Sequence, residues 1–223
     1  MGDRNMNLYN NSITRRTNNF IRNKIRQSLF GSRLEKEDWT LICNNCLGGM
    51  VSHDFGQQFR SPTVNLFFPK FSFFDFVEHM DHYLNQELED GGINENPKYP
   101  IGILKGDETM PDISVHFMHY KSFKDAKEKW DSRKQRINKD NLFVVWTFAF
   151  DKYTEEEYKR FEALPVKKKV GFVNRKELCE QYDSLYYIKG FESRNSLGNI
   201  LEYCSLFGDR YYDQFDFAKW FSE

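Results

Sequence analysis

This sequence predicts an α/β fold: a single domain built on a mostly parallel sheet with helices on both faces, preceded by a basic helical arm. Short β-like runs alternate with helix-like segments for most of the chain, the pattern of a largely parallel sheet. Leu142 to Phe150 is the longest β-like run and is apolar nearly throughout, as a central strand buried on both faces has to be. The 22 Phe, 12 Tyr and 4 Trp among 223 residues supply the core for such a sheet, because each buried ring takes a large area out of water.

The arm is residues 1–36. Up to Leu34 it holds Arg4, Arg15, Arg16, Arg22, Lys24, Arg26 and Arg33 against Asp3 alone, a net of +6, which leaves −7 for the remaining 189 residues against −1 overall. Phe20, Ile21, Ile25 and Leu29 recur at helical spacing with cations between them. A basic amphipathic helix of this kind over residues 13–34 can lie on an anionic membrane surface, or it can pack on the domain and leave its Arg side chains in water. Nucleic acid is not expected as a partner, since no recognition motif or basic–aromatic pattern is present.

The α/β domain is residues 37–223. Thr40 to Cys43 reads as a short buried strand, ended by Asn44-Asn45 and the Gly48-Gly49 pair. Thr63 to Phe68 reads as a second strand. Ser72 with Asp75 three residues on opens a helix to about Leu88, with Phe73, Val77, Met80 and Leu84 on one face. Glu89 to Pro97 reads as a loop, and Tyr99 to Leu104 and Asp112 to His119 as strands. Ser122 caps a helix with a Phe123, Ala126, Trp130 and Ile137 stripe, and Thr154 caps another through Phe161. Lys169 to Val173 and Ser184 to Ile188 complete the sheet ahead of an aromatic helix from Tyr211 to Phe221.

No run of about 18 apolar residues exists to span a bilayer, and the first 30 residues lack the apolar centre of a secretory signal. The four cysteines, at 43, 46, 179 and 204, form no disulfide framework. A reduced, cytoplasmic protein is the expectation, with peripheral contact at the inner face of the membrane if the arm is used for it.

Asn44-Asn45-Cys46-Leu47-Gly48-Gly49, Ser52-His53-Asp54, Arg60-Ser61-Pro62-Thr63 and Tyr99-Pro100-Ile101-Gly102 occur in this order. They are followed by His116-Phe117-Met118-His119-Tyr120-Lys121-Ser122 and Ala126-Lys127-Glu128-Lys129-Trp130. Together these blocks resemble the bacterial family called domain of unknown function 1919, whose members are often labelled exopolysaccharide or capsule biosynthesis proteins. The likeness covers about residues 38 to 222 and implies a place in surface-polysaccharide assembly. The family's usual Trp after the cysteine is Leu47 here, which removes an aromatic wall beside the thiol.

Ligands of open α/β sheets bind beyond the carboxyl ends of the strands. Cys46 lies just past the first strand, where amides of Leu47, Gly48 and Gly49 could face an oxyanion and lower the thiol's pKa. Histidine bases are available in His53, His116 and His119, His119 being preferred because it is nearest a strand end. Regular alternation turns His116 and His119 to opposite faces, which speaks against a metal site from that pair. A buried cysteine beside a glycine turn also occurs as plain packing. Cys43-x-x-Cys46 resembles a redox dithiol, but alternation buries Cys43, and no second ligand pair exists for zinc. His53-Asp54 reads as an acid–base or orienting pair, or as a turn.

Positions 121–139 carry a net of +5, with Lys129, Arg133 and Arg136 on one helical face. Such cations can clamp a diphosphate or form a solvated face. Asn44, Asn45, Gly48, Gly49, Ser61, Lys129 and Trp130, which sit in the shared blocks, are the further substrate-binding candidates. The function expected is a surface-polysaccharide enzyme, a transferase that moves an acyl group to a sugar or lipid-linked sugar through Cys46 and a histidine, or the related deacylase. An activated acyl donor or a nucleotide sugar is its expected co-substrate, with no metal site. A glycosyl- or phosphotransferase using Asp54 or Asp112, or a non-catalytic assembly partner, are the alternatives.

Overall fold

The structure is a computed structural model and describes residues 8–26, 28, 38–149 and 152–222. Arg4, Leu29, Arg33 and Phe150, and the side chains of Ile25 and Arg26, lie outside the described residues. In the arm, helix α1 (Ser12–Ile21) starts at Asn11, whose side chain accepts hydrogen bonds from the amides of Ile13 and Thr14, and it runs on as a π-helical turn, Arg22–Arg26. This segment is docked on the body. Asn18 is buried and donates to the Ser205 carbonyl at 3.0 Å, while the Tyr203 amide donates to Asn10.

The body opens with β1 (Thr40–Cys43) and α2 (Leu47–Asp54), followed by α3 (Lys70–Glu78) and α4 (Met80–Asn85). Three strands come next: β2 (Glu89–Glu95), β3 (Lys98–Leu104) and β4 (Ile113–His116). Then α5 (Phe123–Lys134), β5 (Leu142–Thr147), α6 (Glu155–Ala163), β6 (Lys168–Val173), β7 (Leu185–Tyr187) and α7 (Phe217–Ser222) complete the chain. Strands β1, β5, β6 and β7 pair in that order, all parallel. Alternation then sorts the core in two. Leu41, Cys43, Phe143, Val145 and Phe172 face the layer of α2 and α7, whereas Ile42, Val144, Trp146 and Val173 face the layer of α3 to α6. Two of the three caps read from sequence are present, Ser72 lying inside its helix instead of capping it. The Ser122 hydroxyl accepts from the Asp125 amide, and Thr154 forms a capping box with Glu157.

Several elements differ from the sequence expectation. The strands at 99–104 and 113–116 are not part of the parallel sheet; with β2 they form a separate antiparallel sheet, β2-β3-β4. Residues 89–95 are exposed on both faces but for Asn94, so they show no apolar alternation, and their strand rests on backbone pairing to β3. Thr63 to Phe68 is no strand, because Asn65 has a φ of 63° and kinks the extended run; only Phe67 pairs, with His116. The helix expected to run from Ser72 to Leu88 starts at Lys70 and breaks at His79, which leaves helical geometry at φ −122°, ψ 38°. The C-terminal helix is divided by extended Phe215 into a 3-10 turn, Tyr211–Gln214, and α7. Gly48-Gly49 lies inside the first turn of α2 instead of in a turn. A Cβ on Gly48 would fall 2.9 Å from the Cβ of Cys43, and one on Gly49 2.9 Å from Val64, so close packing of α2 outweighs the poor helix propensity of glycine. No helix among the described residues is long and apolar enough to cross a membrane.

Arg22 ties the arm to the body. It is 2% exposed. Its guanidinium donates to Asp54 at 2.8 Å, to both carboxylate oxygens of Asp213 at 2.7 and 2.8 Å, to the Tyr212 hydroxyl at 2.9 Å and to the Gly208 carbonyl at 2.8 Å. Burial opposes its charge, yet hydrogen bonds to Asp213 and Asp54 outweigh burial and hold its pKa above the ordinary value. Removing one partner of a buried pair strands the other charge. Arg22→Met is therefore expected to lower the urea-unfolding free energy by about 3–5 kcal/mol. A loss no larger than the roughly 0.5 kcal/mol of a surface change would contradict it.

Candidate functional site

The parallel sheet presents one end of β1 to a depression, and three residues there, Asn44, Asn45 and Cys46, join β1 to α2. Cys46 occupies the cap position of α2 and makes no capping hydrogen bond through its side chain. The antiparallel sheet supplies the facing group. Beyond β4 the chain turns at Met118 and His119, and His119 Nε2 stands 3.2 Å from Cys46 Sγ. The two sheets are stitched together by the extended segment ahead of α3. The Phe67 amide donates to the His116 carbonyl and the His116 amide to the Phe67 carbonyl, both at 2.9 Å; the next residue, Phe68, donates to the Asn44 carbonyl at 2.9 Å. Thus the residue after β1 and the strand before His119 are held by consecutive residues of one segment.

The thiol and imidazole open on a cavity of about 460 Å³, within the range of small-molecule sites. Its walls include Phe67, Phe68, Trp146 and Tyr153, and the segment Gly198–Leu201 closes another side. Among these apolar walls stand a few amides. Asn44 is 7% exposed, and its Oδ1 accepts from the Thr147 amide at 3.1 Å, which fixes the side chain at the end of β5. Asn45 Oδ1 accepts from the Leu47 amide at 3.0 Å, and its Nδ2 donates to the Thr147 hydroxyl. Burial raises the pKa of Cys46 above that of an ordinary thiol, so the resting thiol is protonated. Burial pushes Cys43 up to about 12. All four cysteines are free thiols.

The other residues singled out from the sequence lie elsewhere. His116 does not reach the sulfur: its ring meets the Tyr99 hydroxyl at 3.2 Å and the Ser114 hydroxyl at 3.3 Å, and burial lowers its pKa. His53 is exposed near the end of α2, and Asp54 beside it is committed to Arg22; neither lines the cavity. The Leu47, Gly48 and Gly49 amides are not its oxyanion donors. That of Leu47 is held by Asn45, that of Gly48 faces the Cys43 sulfur, and none of the three residues lines the cavity. Contrary to the lowered pKa expected of a glycine nest, the Cys46 thiol is raised. Ser61 bonds to Thr63. Two of the three cations on the basic face of α5 are spent on structure: Arg133 donates to the Tyr120 hydroxyl at 2.6 Å and the Val64 carbonyl at 3.3 Å, and Arg136 donates to the Phe59 carbonyl at 3.2 Å, while Trp130 is 1% exposed in the core. Lys129 is exposed, and none of these four residues lines the cavity. Among the described residues no group of three His, Cys, Asp or Glu side chains comes together as a metal site.

Trp146 and Thr147 were not singled out from sequence, although the carboxyl end of the longest β-like run marks them. Asn199 lies in a loop with no such signal. A family model described as Domain of unknown function (DUF1919) matches residues 16–222. A protein of Haemophilus influenzae bearing the name "Uncharacterized protein" is 40% identical over 190 residues, which span 85% of this chain and 87% of that protein.

Because burial disfavours the thiolate, alkylation of Cys46 by iodoacetamide should keep accelerating as pH rises past the ordinary thiol value of about 8.5. Peptide mass spectrometry across the neutral and alkaline range measures it. A rate already at its plateau near neutrality would instead show a standing imidazolium–thiolate pair.

Proposed function

The chain belongs to the DUF1919 family, and from that premise we propose an enzyme of surface-polysaccharide assembly that transfers an acyl group to a sugar hydroxyl through Cys46 and His119. The observation that carries this reading is the 3.2 Å contact between His119 Nε2 and Cys46 Sγ at the mouth of a cavity beyond the strand ends. The polysaccharide setting comes from the labels that members of the family often carry.

In the proposed reaction His119 Nε2 takes the thiol proton as Sγ attacks the acyl carbonyl of an activated donor. The donor's leaving group departs with that proton, and a thioester remains on Cys46. A sugar hydroxyl then attacks the thioester while His119 accepts its proton, and the same proton returns to sulfur as the ester is released. Water in place of the sugar gives the deacylase. A neutral thiol beside a base suits this order, since the proton leaves only as the bond forms. The apolar walls exclude water from the thioester, and the Asn44 carboxamide, anchored through its oxygen, is the proposed donor toward the carbonyl oxygen.

The glycosyl- or phosphotransferase reading loses support from the placement of its acids. Asp54 is bound by Arg22, and Asp112 is exposed and paired with Lys105 at 2.7 Å. A lipid-linked sugar acceptor and a cytoplasmic location belong to the same proposal.

Cys46→Ala in a strain making an acylated capsule is expected to remove the acyl substituents, and an unchanged polysaccharide would refute the transferase. His119→Gln in the purified chain should lower kcat by about 10²–10⁴-fold with little change in unfolding midpoint. Undiminished turnover would leave the imidazole without a role.

A further inference from the structure

Helix α1 has one face docked and one face free. Asn18 and Arg22, four apart, are buried against the body. Ile13, Arg16 and Phe20, at spacings of three and four, form the opposite side. Ile13 is 76% exposed and Phe20 64%. A turn bonded to the docked side of α1 carries further exposed apolar side chains. The Asn18 side chain holds both the Ser205 carbonyl and the Gly208 amide, and between them Leu206 and Phe207 protrude, Phe207 73% exposed. Arg15, Arg16 and Lys24 are exposed alongside and meet no carboxylate among the described residues. No Asp or Glu occurs between Leu8 and Lys24.

We infer that this face, the outer side of α1 with the Leu206–Phe207 turn, docks on an anionic lipid surface. The charge selects the occupant. Large apolar side chains ringed by unpaired cations suit the boundary between phospholipid headgroups and acyl chains, where the rings insert shallowly and each cation meets a phosphate. Docking the arm on the body through Arg22 does not use up this surface, because the side chains that dock and those that protrude lie on opposite sides of one helix. The placement also relates the membrane to the cavity. Leu201 lines the cavity and Leu206 is five residues further on, so the two lie within about 18 Å. This inference is independent of the chemistry assigned to Cys46.

Co-sedimentation of the full chain with vesicles of phosphatidylglycerol and phosphatidylcholine, against vesicles of phosphatidylcholine alone, tests it. Binding is expected to the anionic vesicles alone and to weaken with added salt. The combined change Arg15→Gln, Arg16→Gln and Lys24→Gln should reduce partition by about 100-fold, at roughly fivefold per cation. Phe20→Ser with Phe207→Ser should release the chain although its charge is intact. All five side chains are exposed, so the thermal unfolding midpoint of both variants should match the parent's. Equal binding to both vesicle types, failure to bind either, or undiminished binding by both variants would overturn the inference.

Discussion

Three backbone hydrogen bonds made by Phe67 and Phe68 join the two sheets of this protein, and the site depends on them. Phe67 exchanges two with His116 in the antiparallel sheet, and Phe68 donates one to Asn44 at the end of β1. Each contributes on the order of 1 kcal/mol net, but their direction matters more than their strength. They place the turn after β4 over the turn after β1, which sets an imidazole against a thiol that the parallel sheet alone would leave unaccompanied. The same segment is braced from behind. The Tyr120 hydroxyl donates to the Val64 carbonyl at 3.0 Å, and Arg133 donates to both. Charge that reads as a ligand clamp in the sequence is used here to hold a cavity wall.

The helix behind the thiol is fixed at both ends. Gly48 and Gly49 let its first turn press on Cys43 and Val64, and Asp54 in its last turn is gripped by Arg22 from the arm. Cys46 is therefore carried at the start of a helix anchored at both ends, and its partial burial disfavours the thiolate. A protonated thiol beside a base is less exposed to oxidation than a standing thiolate.

Much of the architecture was legible because it follows local patterns. Leu142 to Thr147 alternates two cores across a strand buried from Phe143 onward, and Ser122 and Thr154 announce their helices with side chains that cap them. Cys46 was legible from its place after a short apolar strand. His119 was legible only by its nearness to a strand end, since the strand belongs to a different sheet. What stayed hidden was non-local or carried by the backbone. β2 exposes nearly every side chain, so nothing in its composition distinguishes it from a loop. Arg22 finds its carboxylates 32 and 191 residues away. A basic run such as 121–139 shows which side chains share a face but not which face is buried, and Arg133 is buried at 8% exposure.

The most direct measurement of the central claim is the intact mass of the chain after brief exposure to a small acyl thioester, with the adduct located by peptide mapping. One acyl group is expected on Cys46 of the parent chain, none on Cys46→Ala, and much slower loading in His119→Gln. Acylation that ignores the change at His119, or that settles on Cys179 or Cys204 while Cys46 stays free, would contradict the account.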